Sequence, residues 1–436
     1  MALTGRTALL AALAALVVGL LAPGWTGFLT VNALLVLACL CDLALAAPVR
    51  LLRLTRTGDT VVRLGDPAST TLTVANPTRR PLKARLRDAW PPSSWAPGTE
   101  FTAARHELTV PAGERRRVTT QLHPTRRGDH QCARVTVRSY GPLGLLCRQG
   151  SHEVPWSLRV LPPFHSRRHL PSRLARLREL DGRTGVLTRG RGTEFDSLRE
   201  YVPGDDTRSI DWRATARQSA VAVRTWRPER DRRILLVLDT GRTSAGRVGD
   251  APRLDAAMDA ALLLAALASR AGDRVDLVAY DRGVRALVRG RTAGDVLSAM
   301  VDALANVEPA LVETDARGLA AAALRTASRR SLVVVLTSLD RAPVEEGLLP
   351  VLPQLTKRHT VLVASVTDPR IADMAAGRGT VDAVYAAAAA ARAQQERQRA
   401  VDQLLRRGVR VVDAPPAEIA PALADTYLAL KASGAL

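Results

Sequence analysis

Aromatic side chains make up only 3% of these 436 residues. That scarcity argues against a single-stranded nucleic-acid binder, which stacks bases on exposed rings. Four cysteines, Cys39, Cys41, Cys132 and Cys147, are too few for a disulfide scaffold and read as reduced thiols. There is no Gly-x-x-x-x-Gly-Lys phosphate loop and no Gly-x-Ser-x-Gly elbow, and the seven histidines lack zinc spacing. The usual signals for nucleotide hydrolysis, serine-esterase chemistry and a zinc centre are therefore missing. Acidic charge is also short: 42 Asp and Glu against 62 Lys and Arg leave a net +20. Such an excess fits an anionic neighbour, a lipid surface or an acidic protein, or simple Arg-for-Lys usage.

Long apolar runs are concentrated at the N-terminus. One covers about Thr7 to Leu21 and a second Phe28 to Ala46, parted by Pro23-Gly24-Trp25-Thr26-Gly27. A span needs roughly 20 apolar residues, and the pair predicts a two-helix transmembrane hairpin over 1–50. Arg6 precedes it, Arg50, Arg53 and Arg56 follow it, and the loop between carries no Lys or Arg. The positive-inside rule then puts both ends, and the soluble remainder, in the cytoplasm. Asp42, late in the second run, is expected to pair with a nearby cation.

Short alternating runs follow, at Val61–Leu64, Thr70–Val74, Leu82–Leu86, Arg117–Leu122 and Arg134–Arg138. Pro, Gly and Asn separate them, which predicts a β-sandwich of immunoglobulin or fibronectin type over 58–163. Residues 164–230 read as a basic linker and an acidic segment. In the linker Leu170, Leu174, Leu177 and Leu180 recur at helical spacing under an arginine-rich face, which could be solvated, touch lipid or pair with nearby acids. In the segment from Glu194 to Trp212, Glu194, Asp196, Glu200, Asp205, Asp206 and Asp211 alternate with apolar residues, and Arg199 and Arg208 lie within reach. Half-buried charges need partners, so this is an ion-pair knot or a recognition surface, with Asp205 or Asp206 capping a turn into a helix. From 231 to 436 continuous apolar strands such as Ile234–Leu238 and Leu332–Leu336 alternate with helices, the pattern of a doubly wound α/β domain.

The order from Glu194 to Arg217, E-F-D-S-L-R-E-Y-x-P-G-D-D-x-R-x-I-D-W-R-A-T-A-R, resembles the signature of the bacterial family called domain of unknown function 58. Arg127-Gly128, Gly141-Pro142-Leu143-Gly144-Leu145, Asp239-Thr240-Gly241-Arg242-Thr243, Gly408–Val412 and Tyr427–Lys431 fit the same family. The resemblance implies a membrane-anchored protein with a MoxR-type AAA+ ATPase as partner.

Ligands of open α/β sheets bind at the carboxyl ends of the strands. Asp239 ends the first apolar strand of 231–436, Thr314 and Asp315 open a later helix, and Thr337, Ser338 and Asp340 follow another strand. This layout resembles the von Willebrand factor type A domain and its metal-ion-dependent adhesion site. That resemblance implies a Mg²⁺ or other divalent cation on Asp239, Thr243 and Thr314, with Asp340 or Asp315 compensating for Ser338 where the family has Asp. Gly241 also departs from it, replacing a hydroxyl.

The expected function is a protein-interaction adaptor or assembly scaffold with no catalytic residues. Its partner-binding surface would comprise Glu194, Asp196, Arg199, Glu200, Asp205, Asp206, Arg208, Asp211 and Trp212. A hydrolase using those carboxylates is the alternative, and an electrostatic nucleic-acid or lipid-surface binder a second. No nucleic-acid partner is expected.

Overall fold

The computed structural model describes residues 2–21, 24–99, 104–187, 194–203, 205–217, 220–227, 232–290 and 294–436. For 181–187, 194–197 and 225–227 it gives the backbone only. The chain forms two compact units, Met1–Leu161 and Pro162–Leu436.

The first unit begins with helices α1 (Gly5–Leu21) and α2 (Trp25–Leu45). Leu9, Leu13, Leu16, Leu20, Leu34 and Leu40 are all exposed on them. The stretch Trp25–Leu51 is long and apolar enough to cross a membrane, whereas Gly5–Leu21 is shorter than the usual span.

Eight strands follow: β1 (Arg53–Gly58), β2 (Val61–Arg63), β3 (Ala68–Ala75), β4 (Leu82–Asp88), β5 (Arg105–Val110), β6 (Arg115–Leu122), β7 (Gly128–Tyr140) and β8 (Leu146–Leu161). One sheet runs β8-β7-β4-β5, with Ala2–Leu3 and β2 joined to β8; the other runs β1-β3-β6. Alternation does the sorting. In β4, Leu82, Ala84 and Leu86 point inward while Lys83, Arg85 and Arg87 face out. Leu72 and Val74 of one sheet pack with Leu82, Leu86, Val110, Val135 and Val137 of the other, which makes the unit a β-sandwich.

Two expectations change here. Asp42 does not take a cation. Fully buried, it accepts the main-chain N–H groups of Leu143 (2.7 Å), Leu145 (2.7 Å) and Leu146 (3.0 Å) in the β7–β8 turn. Three amide donors satisfy a buried carboxylate as well as one cation does. This also accounts for Gly141, where a Cβ would stand 2.2 Å from Asp42 Oδ1. Nor is Arg56 a juxtamembrane surface charge. Its Nη2 lies 2.6 Å from Asp88 Oδ1, with the pair almost wholly buried inside the sandwich.

The second unit opens with α3 (Leu170–Leu187), whose Leu170 and Leu177 are buried. Its Arg173 and Arg176 pair with Asp425 at 3.0 and 2.9 Å, so two arginines of this face serve an intramolecular contact. An antiparallel ribbon of β9 (Glu194–Glu200) and β10 (Ala222–Arg227) carries the acidic segment.

The main sheet then builds from β11 (Arg233–Asp239), α4 (Arg253–Arg270), β12 (Arg274–Tyr280), β13 (Val284–Val288), α5 (Val296–Ala305), α6 (Ala316–Thr326), β14 (Leu332–Leu336), α7 (Leu349–Thr356), β15 (Thr360–Val366), α8 (Pro369–Ala375), α9 (Val381–Arg406), β16 (Arg410–Ala414) and α10 (Ile419–Ala432). Its order is β13-β12-β11-β14-β15-β16, parallel except for β13 at the edge. Every residue of β14, and Ile234–Asp239 of β11, is buried, as expected for central strands covered on both faces. The chain steps outward from β11 to β12 and β13, then returns to β14 on the other side of β11, so the switch of strand order falls between β11 and β14. In open α/β sheets the carboxyl ends beside such a switch point are where ligands bind.

Candidate functional site: a carboxylate clasped at the switch point

Asp239 is the last residue of β11 and stands at that switch point. Its side chain is clasped from three loops. Oδ1 accepts the N–H of Gly241 at 2.9 Å and the hydroxyl of Thr314 at 2.5 Å; Oδ2 accepts the hydroxyl of Thr337 at 2.6 Å. The Ser244 hydroxyl donates to the Asp239 carbonyl oxygen at 2.6 Å. The residue is 4% exposed, so its charge is held by dipoles rather than by bulk water.

Gly241 makes the clasp possible. A Cβ there would lie 2.1 Å from Thr314 Oγ1, 3.0 Å from Val312 O and 3.2 Å from Asp239 Oδ1. The hydroxyl missing at 241 is thus replaced in space by Thr314, which occupies the room that a side chain would take.

The other expected ligands divide. Thr243 lies half-buried on the same loop, and its hydroxyl makes no hydrogen bond among the described residues. Asp340 does not join the clasp: its Oδ2 stands 3.5 Å from Arg253 Nη1. Asp315 caps α6 by accepting the N–H of Arg317 at 3.1 Å. Thr337 was not among the expected ligands, yet it provides the third-loop contact. The only sequence signal for it was a hydroxyl directly after a continuous apolar strand. Among the described residues no three His, Cys, Asp or Glu side chains are grouped to hold a metal ion. The clasp offers one carboxylate and two or three hydroxyls, a hard oxygen set of the kind Mg²⁺ accepts alongside waters.

Arg253, the first residue of α4, reaches over this rim. A Cβ on Gly246 would be 3.7 Å from its Cζ, and its Nη1 lies 3.4 Å from Ser338 Oγ. The guanidinium therefore spans the loop after β11 and the loop after β14. Its Nε is buried with no hydrogen-bond partner among the described residues.

The acidic segment forms a second cluster on the β9–β10 ribbon. Asp205 receives Arg199 at 2.5 Å and the N–H of Val202 at 3.0 Å, and the Arg199 bond above all holds its carboxyl below the usual range. Asp206 caps a turn at Thr207–Ser209 by accepting the Arg208 N–H. Asp211 caps the one-turn helix Trp212–Thr215 and is gripped by Arg224 from β10, Nε at 2.7 Å and Nη2 at 2.6 Å. That arginine bond, then the helix amide of Ala214, lowers its pKa. Arg224 was missed because its partner lies across a ribbon that the sequence pattern did not announce. Glu200 ends β9 and is exposed. The side chains of Glu194 and Asp196 lie outside the described residues. Arg208, Asp211, Trp212, Arg213 and Arg224 line an open hollow of about 320 Å³, and Trp212 is 69% exposed. The one carboxylate among the lining residues, Asp211, is committed to its helix cap and to Arg224.

The second unit is thus an open, doubly wound α/β domain with a hydroxyl-clasped acid at its switch point, preceded by an arginine-bearing ribbon. Residues 197–405 match the family described as "Protein of unknown function DUF58". Uncharacterized proteins of Mycobacterium bovis and Mycobacterium tuberculosis are 31% identical over 186 residues, 42% of this chain and 58% of theirs. An uncharacterized protein of Bacillus subtilis is 26% identical over 196 residues, 44% of this chain and 48% of that one. The chain spans about half the length of the curated relatives it matches. Among solved structures, the CARDB domain of a Pyrococcus furiosus protein is similar at 14% identity and TM-score 0.19, covering 25% of this chain and 86% of that one. A PKD domain of an M14-like peptidase from a Thermoplasmatales archaeon is similar at 16% and 0.15, covering 24% and 91%.

Proposed function

We propose that this protein is a membrane-anchored interaction adaptor whose Asp239 rim receives an acidic group of a partner protein. The observation that carries the reading is the clasp itself: three separate loops at the switch point aim one backbone N–H and two hydroxyls at one carboxylate. A catalytic acid or base would need a carboxyl free to exchange its proton with a substrate; this one already accepts three hydrogen bonds from the protein. The clasp, and the single antiparallel edge strand of an otherwise parallel sheet, support likeness to the von Willebrand type A domain. In that reading Asp239, Thr314 and Thr337, with Thr243 beside them, hold a divalent cation, whose free positions would accept the partner's carboxylate. The Thr314 and Thr337 hydroxyls now donate to Asp239, and rotating each presents a lone pair to the ion instead.

The same reading places both N-terminal helices in the bilayer, the β-sandwich and the second unit in the cytoplasm, and a MoxR-type AAA+ ATPase as the partner. The ribbon bearing Arg199, Asp205, Asp211 and Trp212 adds a second contact surface. Site-specific photo-crosslinking in membranes tests this. A crosslinker at Thr243 should capture the co-expressed ATPase, whereas one at Leu287, on the sheet's far edge, should not. Equal capture at both positions would remove the rim from the account.

A further inference from the structure

Arg253 is out of place at the mouth of a cation site. Its Nε and Cζ lie over Gly246 in the loop after β11, and its Nη1 reaches Ser338 and Asp340 in the loop after β14. These are the two loops that flank the switch point, and Thr337, which clasps Asp239, is the neighbour of Ser338. A positive charge built into the fold at this spot opposes the approach of a second one, the more so where water is largely excluded. Its attachment is weak. Both contacts are long, 3.4 and 3.5 Å, and Nε is buried without a partner among the described residues. A guanidinium carries five donors in a planar fork suited to a bidentate carboxylate, and here that capacity is largely unspent.

We propose that Arg253 is a tethered cation that guards the Asp239 site: it holds the metal out until an acidic side chain of the partner draws the guanidinium away. This rests on the cation reading given above and adds a coupling to it. Cation and acidic partner then bind cooperatively, and by linkage each raises the affinity of the other. The long contacts to Ser338 and Asp340 leave the arginine movable, and the empty donors give it somewhere better to go.

The test uses the full chain in detergent micelles with Mn²⁺ alone as probe, free ion being read by electron paramagnetic resonance. Wild type is compared with Arg253→Met, which removes the charge and keeps an unbranched side chain, with Arg253→Ala, and with Arg253→Lys. Thermal melts check that each variant folds. Arg253→Met and Arg253→Ala should bind Mn²⁺ at least tenfold more tightly than wild type. Arg253→Lys should stay near wild type, and adding Asp239→Asn to Arg253→Met should erase the gain. Tight binding that is equal in wild type and Arg253→Met would overturn the guard while leaving the cation site standing. Weak binding in every variant would overturn both.

Discussion

The hydroxyl of Thr337 lies 2.6 Å from Asp239 Oδ2 across 98 residues of sequence, and it ties the loop after β14 to the end of β11. Replacing that hydroxyl by a methyl removes one donor to a buried carboxylate. Thr337→Val should therefore cost about 1–3 kcal/mol, the usual penalty for a lost bond to a charged group, measured by urea unfolding of the full chain. No loss of stability would mean that the clasp is dispensable.

Gly241 should resist even the smallest addition. The 2.1 Å approach of Thr314 Oγ1 to its missing Cβ leaves no room for a methyl without breaking the clasp. Gly241→Ala is expected to destabilise by about 1–3 kcal/mol, as overpacked sites do. Gly241→Ser, although it adds a hydroxyl to the loop, should fare no better. Both are read in the same urea titration, and a neutral Gly241→Ser would show that Thr314 moves aside freely.

In the sandwich, Arg56 and Asp88 form a buried pair over which Trp90 Nε1 and Cys132 Sγ also donate to Asp88, at 3.0 and 3.1 Å. Burial, with the Asp88 charge beside it, pushes the Cys132 thiol up to about 12 and keeps it inert. Asp88→Ala strands the guanidinium and should cost about 3–5 kcal/mol. It should also make Cys132 reactive toward a maleimide under conditions where the wild-type thiol is silent.

Acid should weaken both units. His359 is buried with neither ring nitrogen bonded among the described residues, and burial, then the positive Arg358, lowers its pKa below the usual 6.5. His106 and His130 are lowered for the same first reason, burial. The unfolded chain therefore takes these protons first. Stability is fully present above about pH 6.5 and declines as pH falls through that value toward the lower folded pKa values. His359→Leu should flatten part of this slope and stabilise by about 1 kcal/mol, since no bond is lost. Melting curves between pH 8 and pH 5 would show it; an unchanged slope would place the acid sensitivity elsewhere.

Asp42 and the β7–β8 turn should fail together. Asp42→Ala leaves three amides without their acceptor, and Gly141→Ala pushes a methyl against the carboxylate. Either change should speed amide hydrogen exchange at Leu143, Leu145 and Leu146 while leaving the β3–β6 pairing protected. Selective loss at these three positions is the signature.

Much of this fold was legible in the sequence, because apolar continuity marks central parallel strands directly. Ile234–Leu238, Leu332–Leu336 and Thr360–Val366 stand where their patterns put them. The edge strand Val284–Val288, half-exposed and broken by Arg285, gave no such signal. Nor did Arg105–Val110 of the sandwich, where His and Glu interrupt the alternation. At the candidate site, Asp239 and Thr314 were readable from their places after a strand and before a helix. Thr337 and Arg253 were not, because their roles depend on loops that meet only in three dimensions. Asp340 misled for the same reason: spacing brought it near, and Arg253 took it. Arg56 shows the limit of charge counting, since a residue that looks juxtamembrane in sequence lies inside the sandwich.

The most direct measurement is co-purification of the full-length chain from membranes with a MoxR-type ATPase, wild type against Asp239→Asn, with thermal melts confirming that both are folded. The isosteric amide keeps the shape of the rim and removes its charge, so capture should fall at least tenfold. Undiminished capture by folded Asp239→Asn would contradict the claim that this rim is where the protein meets its partner.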